Sequence, residues 1–200
     1  EHARMVQLAA VGNTIPVALD GAFKFNQLGI PAVAGDIWEA QAAYAFDKTW
    51  GVVASFDYLS GDKGNGDKFK AFDPLYGTHH KFYGSMDYFY ANLFVNGYAP
   101  GLMDSRIGAR FRASDKVDME LNYHSFTTAV KLPDLNKSLG SEVDYQINLS
   151  VMKDVKLSAG YSFMRGTKTM DVVKGGNHKS WQDWGWVSLN INPKVFFTKW

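Results

Sequence analysis

Arg106, Arg110 and Arg112 are separated by even intervals. In an extended chain side chains alternate between two faces, so this spacing places all three guanidinium groups on one side. Guanidinium groups along one wall attract carboxylates and other anions, often bidentately. Acids occur nearby: Asp104, Asp118, Glu120, Glu142 and Asp144, with Asp20 and Glu39 further upstream, where Lys24 adds another base. Two arrangements fit this mixture. The arginines form an anion ladder along a wet wall, or they pair with Asp118 and Glu120 on the neighbouring strand and leave the wall neutral.

Other chemistries find less support. His124 shares a face with Glu120, whereas the adjacent Ser125 points away, so no Ser–His nucleophile is assembled there. G-x-S-x-G, H-E-x-x-H and P-loop patterns are absent. Glu142 and Asp144 read as a charge pair rather than an acid/base dyad. His79 and His80 are adjacent and point apart on an extended chain, so no metal site is expected. The chain has no cysteine, which excludes disulfides and thiolate metal sites. We therefore expect no enzymatic activity, no cofactor and no metal.

The elements that would carry these groups are β-strands. Ile107, Ala109, Phe111 and Ala113 alternate with Asp104, Arg106, Arg110 and Arg112. Val117 to His124 and Val143 to Val151 alternate in the same way. Period-two alternation gives each strand one apolar and one polar face. We read nine strands, at about 4–13, 17–27, 36–46, 49–60, 102–113, 117–128, 140–152, 155–167 and 181–192. The first is nearly apolar on both faces. Tight turns fall at 13–16, 47–48, 114–116 and 153–154, where Asn, Asp, Lys or Pro occur. Long connections fall at 28–35, 61–101, 129–139 and 168–180, with a short helix considered within 80–95.

Alternating strands of about 9–11 residues, with short turns on one side and long loops on the other, are the pattern of an antiparallel transmembrane β-barrel. Tyr123, Tyr145, Leu149, Leu157 and Tyr161 would face lipid. Arg110, Glu120, Asp144 and Gln146 would face the lumen, as would Lys24, Glu39, Asp104, Arg106, Arg112, His124 and Glu142. The aromatic content, 15%, suits interfacial girdles. The net charge of +1 gives no electrostatic footprint for nucleic acid. An odd strand count puts the two ends of the chain on opposite sides. Bacterial single-chain barrels have even counts, so residues 1–200 read as one region forming half of a barrel of about eighteen strands. A tenth strand hidden in 61–101 would instead make a small complete barrel. That connection is unusually aromatic, with Tyr76, Tyr83 and Tyr88 as candidate contacts. It would constrict the barrel, stack on sugar rings, cover a partner, or simply pack over the barrel mouth.

The stretch FDPLYGTHHKFYGSMDYFY at 72–90 resembles the LYGT-HKF-G-MDYFY signature of Bacteroidetes members of the alginate-export outer-membrane family. FDYLSGD (56–62), GSEVDYQINLSVMKDVKLSAGYSFM (140–164), KGG (174–176) and WQDWGWVSLNINP (181–193) are similar to that family in the same order. The resemblance covers roughly residues 36–197, and residues 1–35 match poorly. It implies a bacterial outer-membrane barrel of about eighteen strands and a conduit for an acidic polysaccharide. The expected function is a porin-like channel for a polar solute, anionic or saccharide. The alternative is a structural barrel subunit of a larger complex, with 61–101 as docking surface. Expected partners are membrane lipid, a missing barrel half or partner outer-membrane chain, and an acidic oligosaccharide.

Overall fold

The computed structural model describes residues 4–10, 13–20, 37–64, 69–72, 80, 82–89 and 97–193. They form β1 (Arg4–Ala10), β2 (Asn13–Asp20), β3 (Ile37–Ala45), β4 (Trp50–Leu59), β5 (Leu102–Ser114), β6 (Val117–Thr127), β7 (Ser138–Met152), β8 (Val155–Gly166), the helix α1 (Lys168–Lys174) and β9 (Gln182–Ile191). The nine strands make one antiparallel sheet in sequence order. The fold is all-β. β1 and β9 are its edges, each pairing among the described residues only with its sequence neighbour.

The alternation seen in the sequence separates the two faces. One face carries Trp38, Tyr44, Trp50, Phe56, Ile107, Leu121, Tyr123, Tyr145, Tyr161, Val187 and Leu189, all exposed, with Ile107 at 67% and Val187 at 75%. The other face carries the charges. Asp104, His124, Glu142 and Asp144 are buried there, and Tyr145 and Asp144 fall on opposite sides as expected. On the apolar face of β3–β5, aromatics gather at both ends. Trp38, Phe56 and Tyr58 lie at one end, and Tyr44, Trp50 and Phe111 at the other. Ala42, Ala54 and Ile107 lie in register between them.

Short turns lie at one end of the sheet and long connections at the other. At the β3–β4 turn, Asp47 Oδ1 accepts from the Thr49 and Trp50 amides at 2.6 and 2.7 Å, an Asx-type reversal. The hydrophobic core sits at the long-connection end. There Leu59, Leu102, Phe126, Leu139 and Met164 at the strand ends meet Tyr83 and Phe89 of the 60–101 connection and Met170 and Val173 of α1.

Two expectations are corrected. Residues 13–16 are not a turn but the first half of β2, with Pro16 opposite Gln7. Among the described residues β3 pairs with Val17–Asp20 of β2, so Pro16 sits where the strand's second edge has no partner among them, a position that tolerates a missing N–H. Residues 168–174, expected as loop, form α1. The Thr167 side chain caps its N-terminus by accepting from the Met170 amide, and Gly175 at φ +78° closes it. In 61–101, none of the described residues is in a strand, and residues 80 and 82–89 form turns; residues 65–68, 73–79, 81 and 90–96, over which the alternatives of a tenth strand and a short helix also extend, lie outside the described residues.

Candidate functional site

The site grows from a row of like charges. Antiparallel register places Asp20, Glu39, Asp57 and Asp104 opposite one another across β2–β5. Acids directly opposite destabilise a sheet unless something offsets them. At the end of this row, His124 of β6 bridges β5 and β7. Its Nδ1 lies 2.8 Å from Asp104 Oδ2, and its Nε2 lies 3.4 Å from Asp144 Oδ2. The imidazole stacks on Phe126, with centroids 5.5 Å apart. Glu142 follows two residues before Asp144 on the same face of β7 and is 0% exposed.

The aromatic connection covers this cluster. The Met86 amide donates to Glu142 Oε1 at 2.9 Å, and the Ser85 amide donates to Asp144 Oδ2 at 3.3 Å. Backbone N–H groups are the donors a buried carboxylate needs once water is excluded. Gly84 makes the approach possible. Its φ is +86°, and a Cβ there would lie 2.7 Å from the Glu142 carboxylate oxygens. Phe89 anchors the segment on Phe126 at 4.5 Å between centroids. Lys174 of α1 lies 5.7 Å above the Phe89 ring, and burial pulls its pKa down to about 8. His80 stacks on Trp184 at 4.4 Å. Tyr83 adopts φ +60°, a left-handed conformation costly for an aromatic residue. Burial raises the Tyr83 hydroxyl pKa, with Asp57, Glu39 and Asp104 adding to the shift. Burial and Glu142 raise that of Tyr88. Asp57 Oδ1, Glu142 Oε2 and Asp144 Oδ1 are buried without a hydrogen-bond partner among the described residues.

Two adjoining hollows on the polar face are lined by the expected site residues. A recess of about 220 Å³ sits between Asp57, Asp104, Arg106 and His124 on the sheet and Phe82 and Tyr83 of the connection. A groove of about 490 Å³ runs toward the short turns past Arg110, Glu120 and Asn122. Gln41 and Arg106 line both, so the two hollows adjoin. Arg106 stands at the junction. Its Nε donates to Ser55 Oγ and its Nη2 to Gln41 Oε1, both at 3.0 Å. Neither arginine arrangement expected above describes all three residues. Arg106 bonds neutral partners on β3 and β4. Arg110 lies 4.0 Å from Glu120. Arg112 faces Asp118 in register, but Asp118 accepts from the Asn148 amide group at 2.8 Å.

Of the expected site residues, Glu39, Asp104, Arg106, His124, Glu142 and Asp144 are brought together at the long-connection end. Arg110, Arg112 and Glu120 stand apart, toward the turns. Tyr83 and Tyr88 belong to the cover. Lys24 and Tyr76 lie outside the described residues, as does His79. Sequence reasoning missed Asp57 and Gly84. Asp57 could have been found by pairing the alternation of β4 against that of β5, which sets it opposite Asp104. It also missed Trp184 and Trp186, which lie on the polar face of β9, Trp186 pressed over Gly160. Both ring nitrogens of His124 meet carboxylates rather than a hydroxyl nucleophile. Among the described residues no group of three or more carboxylates and imidazoles is arranged to hold a metal ion. The arrangement is one for binding hydrogen-bond donors and positive charge. No protein-family model matches the chain, and no curated protein matches it.

Proposed function

We propose that this sheet is part of the wall of a bacterial outer-membrane β-barrel, of the alginate-export-like kind, through which a polar solute passes along the polar face. One observation carries the reading: the apolar face is the exposed face, while the buried carboxylates and His124 lie on the other. A water-soluble sheet would bury the first and expose the second. Lipid suits the former, a polar lumen the latter. The aromatic ends and small aliphatic middle of β3–β5 fit two interfaces and a hydrocarbon layer. Edge strands in hydrocarbon need partners, because each unsatisfied backbone group costs several kcal/mol. The reading therefore includes a further barrel portion or partner outer-membrane chain completing β1 and β9. Residues 82–89 turn onto the chain's own polar face, which favours a conduit over the structural-subunit alternative with its outward docking surface. The test is planar-bilayer recording of the protein extracted from membranes with its natural partner strands. Stable ion-conducting steps are expected. Insertion without conductance overturns the conduit.

A further inference from the structure

We propose that Glu142 and Asp144 share one proton, and that this proton holds residues 82–89 seated on the polar face. Both acids are buried. They stand two residues apart on one face of β7, and their carboxyl groups lie within hydrogen-bond reach of each other. The cover gives one amide to each, Met86 to Glu142 Oε1 and Ser85 to Asp144 Oδ2. The oxygens left over, Glu142 Oε2 and Asp144 Oδ1, are buried and lack a donor among the described residues. Two stranded acceptors are costly in a place that water does not reach. A single proton between the carboxyls makes a donor of one and satisfies the other. It also relieves the repulsion of two carboxylates at close range, where both do not readily ionise.

The surroundings make this seat a switch rather than a fixed clasp. From β6, His124 faces Asp144 at 3.4 Å but lies closer to Asp104 of β5, at 2.8 Å. From β8, Ser162 and Met164 stand opposite the pair, and neither titrates. From the cover, Tyr88 is the titratable group near Glu142. Lys174 of α1 lies over the Phe89 ring. Among the described residues no ion pair reaches Glu142. When the shared proton leaves to solvent, a second negative charge therefore appears beside Asp144 with no cation against it. The two amide bonds strengthen with charge, but a buried pair of like charges needs water. Gly84 presses on the same carboxylate, so the pair gains little room by shifting. Lifting residues 82–89 admits water and frees the left-handed backbones of Tyr83 and Asp87. Rising pH should release the cover.

As a valve on a solute's path, the cover rests on the conduit reading; as a proton-held seat it does not. The test follows a nitroxide carried on Phe82→Cys, an exposed position of the cover in a chain with no cysteine of its own. Its mobility is read by electron spin resonance on the full chain in detergent. The scan runs from about pH 5 to about pH 10, across the range in which buried carboxyl groups lose their protons. The spectrum should pass reversibly from an immobile to a mobile form as pH rises. Glu142→Gln keeps an acceptor for the Met86 amide and offers Asp144 a permanent donor. That variant should lose the transition and stay immobile throughout. His124 and Lys174 remain in it, so a transition that persists belongs to one of them and overturns the proposal. A cover that stays immobile to the alkaline end with Glu142 unaltered also overturns it, whether or not the variant folds. Asp144→Asn should lose the transition in the same way. Alkaline release in a barrel that carries no current keeps the seat and removes the conduit. Conductance through a barrel whose cover ignores pH does the reverse.

Discussion

At the long-connection end of the polar face, Asp104, His124, Glu142 and Asp144 are sealed under residues 82–89. At the turn end, Arg110 and Glu120 stand on the same face beside an open groove. The covered groups are held at close range, His124 to Asp104 at 2.8 Å and Glu142 to the Met86 amide at 2.9 Å. The open pair is loose at 4.0 Å, with both side chains about half exposed. The difference follows from solvent. A buried charge must find donors or opposite charge, and removing one partner strands the other. An exposed pair is screened and contributes little. The same strands therefore carry a rigid half and an adaptable half. The division is set by where the connection folds back, not by any change in the strand pattern.

The largest effect should come from the anchor of the covered half. Phe126 is fully buried and packs on Phe89 and His124. Phe126→Ala should cost about 3–5 kcal/mol in chemical unfolding. A loss under about 1 kcal/mol would mean that the cover is not held by this contact. Gly84→Ala comes next. It sets a methyl against the Glu142 carboxylate and forces a left-handed alanine, at about 2–4 kcal/mol. Protease cleavage within 82–89 should accelerate while the strands stay protected. Unchanged cleavage would show that the segment seats without a close approach to Glu142.

A pH effect should follow from Lys174, whose folded pKa is lowered to about 8 from 10.5. Between those values the unfolded chain holds more protons than the folded one, so stability rises with pH across that window. Burying the charged form costs stability below about pH 8, and that cost is relieved as the amine loses its proton. The gain should be on the order of 1–3 kcal/mol, reduced by the attraction of the ammonium to the Phe89 ring. It is read as the difference between the unaltered protein and Lys174→Met melted at pH 7 and pH 10. Parallel curves would place Lys174 in water. The smallest effect belongs to the open half. Arg110→Gln should change stability by less than about 1 kcal/mol, yet, in the conduit proposed above, move the reversal potential toward cations. A large destabilisation with no such shift would make the groove as rigid as the covered half.

The strands were legible because their signal is local. Alternation over about ten residues is enough to fix the faces of Tyr145 and Asp144 without knowing any neighbour. Pro16 misled because its turn preference is also local, whereas its tolerance in β2 depends on how far β3 extends. The helix at 168–174 left a readable trace, a capping Thr167 followed by Gly175-Gly176, in a segment too short to show a helical period. The site was legible residue by residue and not as a site. Each of Glu39, Asp104, His124, Glu142 and Asp144 could be placed on the polar face. Their cover could not, because Gly84–Met86 meet Glu142 and Asp144 across more than fifty residues of chain. The even spacing of the arginines predicted a shared face, which holds, but shared faces do not imply shared partners.

The seat of the aromatic connection also sets an order of assembly. Strands that pair only with their sequence neighbours form by local steps, each closing one hairpin. The connection after β4 is an exception, since its carboxylate acceptors arrive only with β7. Until β6 and β7 are in place, Phe89 lacks its contact with Phe126 and the Ser85 and Met86 amides lack their carboxylate acceptors. Docking of residues 82–89 is thus a late event that reports completion of the central strands. The interval before it is when this stretch is open to capture by chaperones or cleavage by proteases.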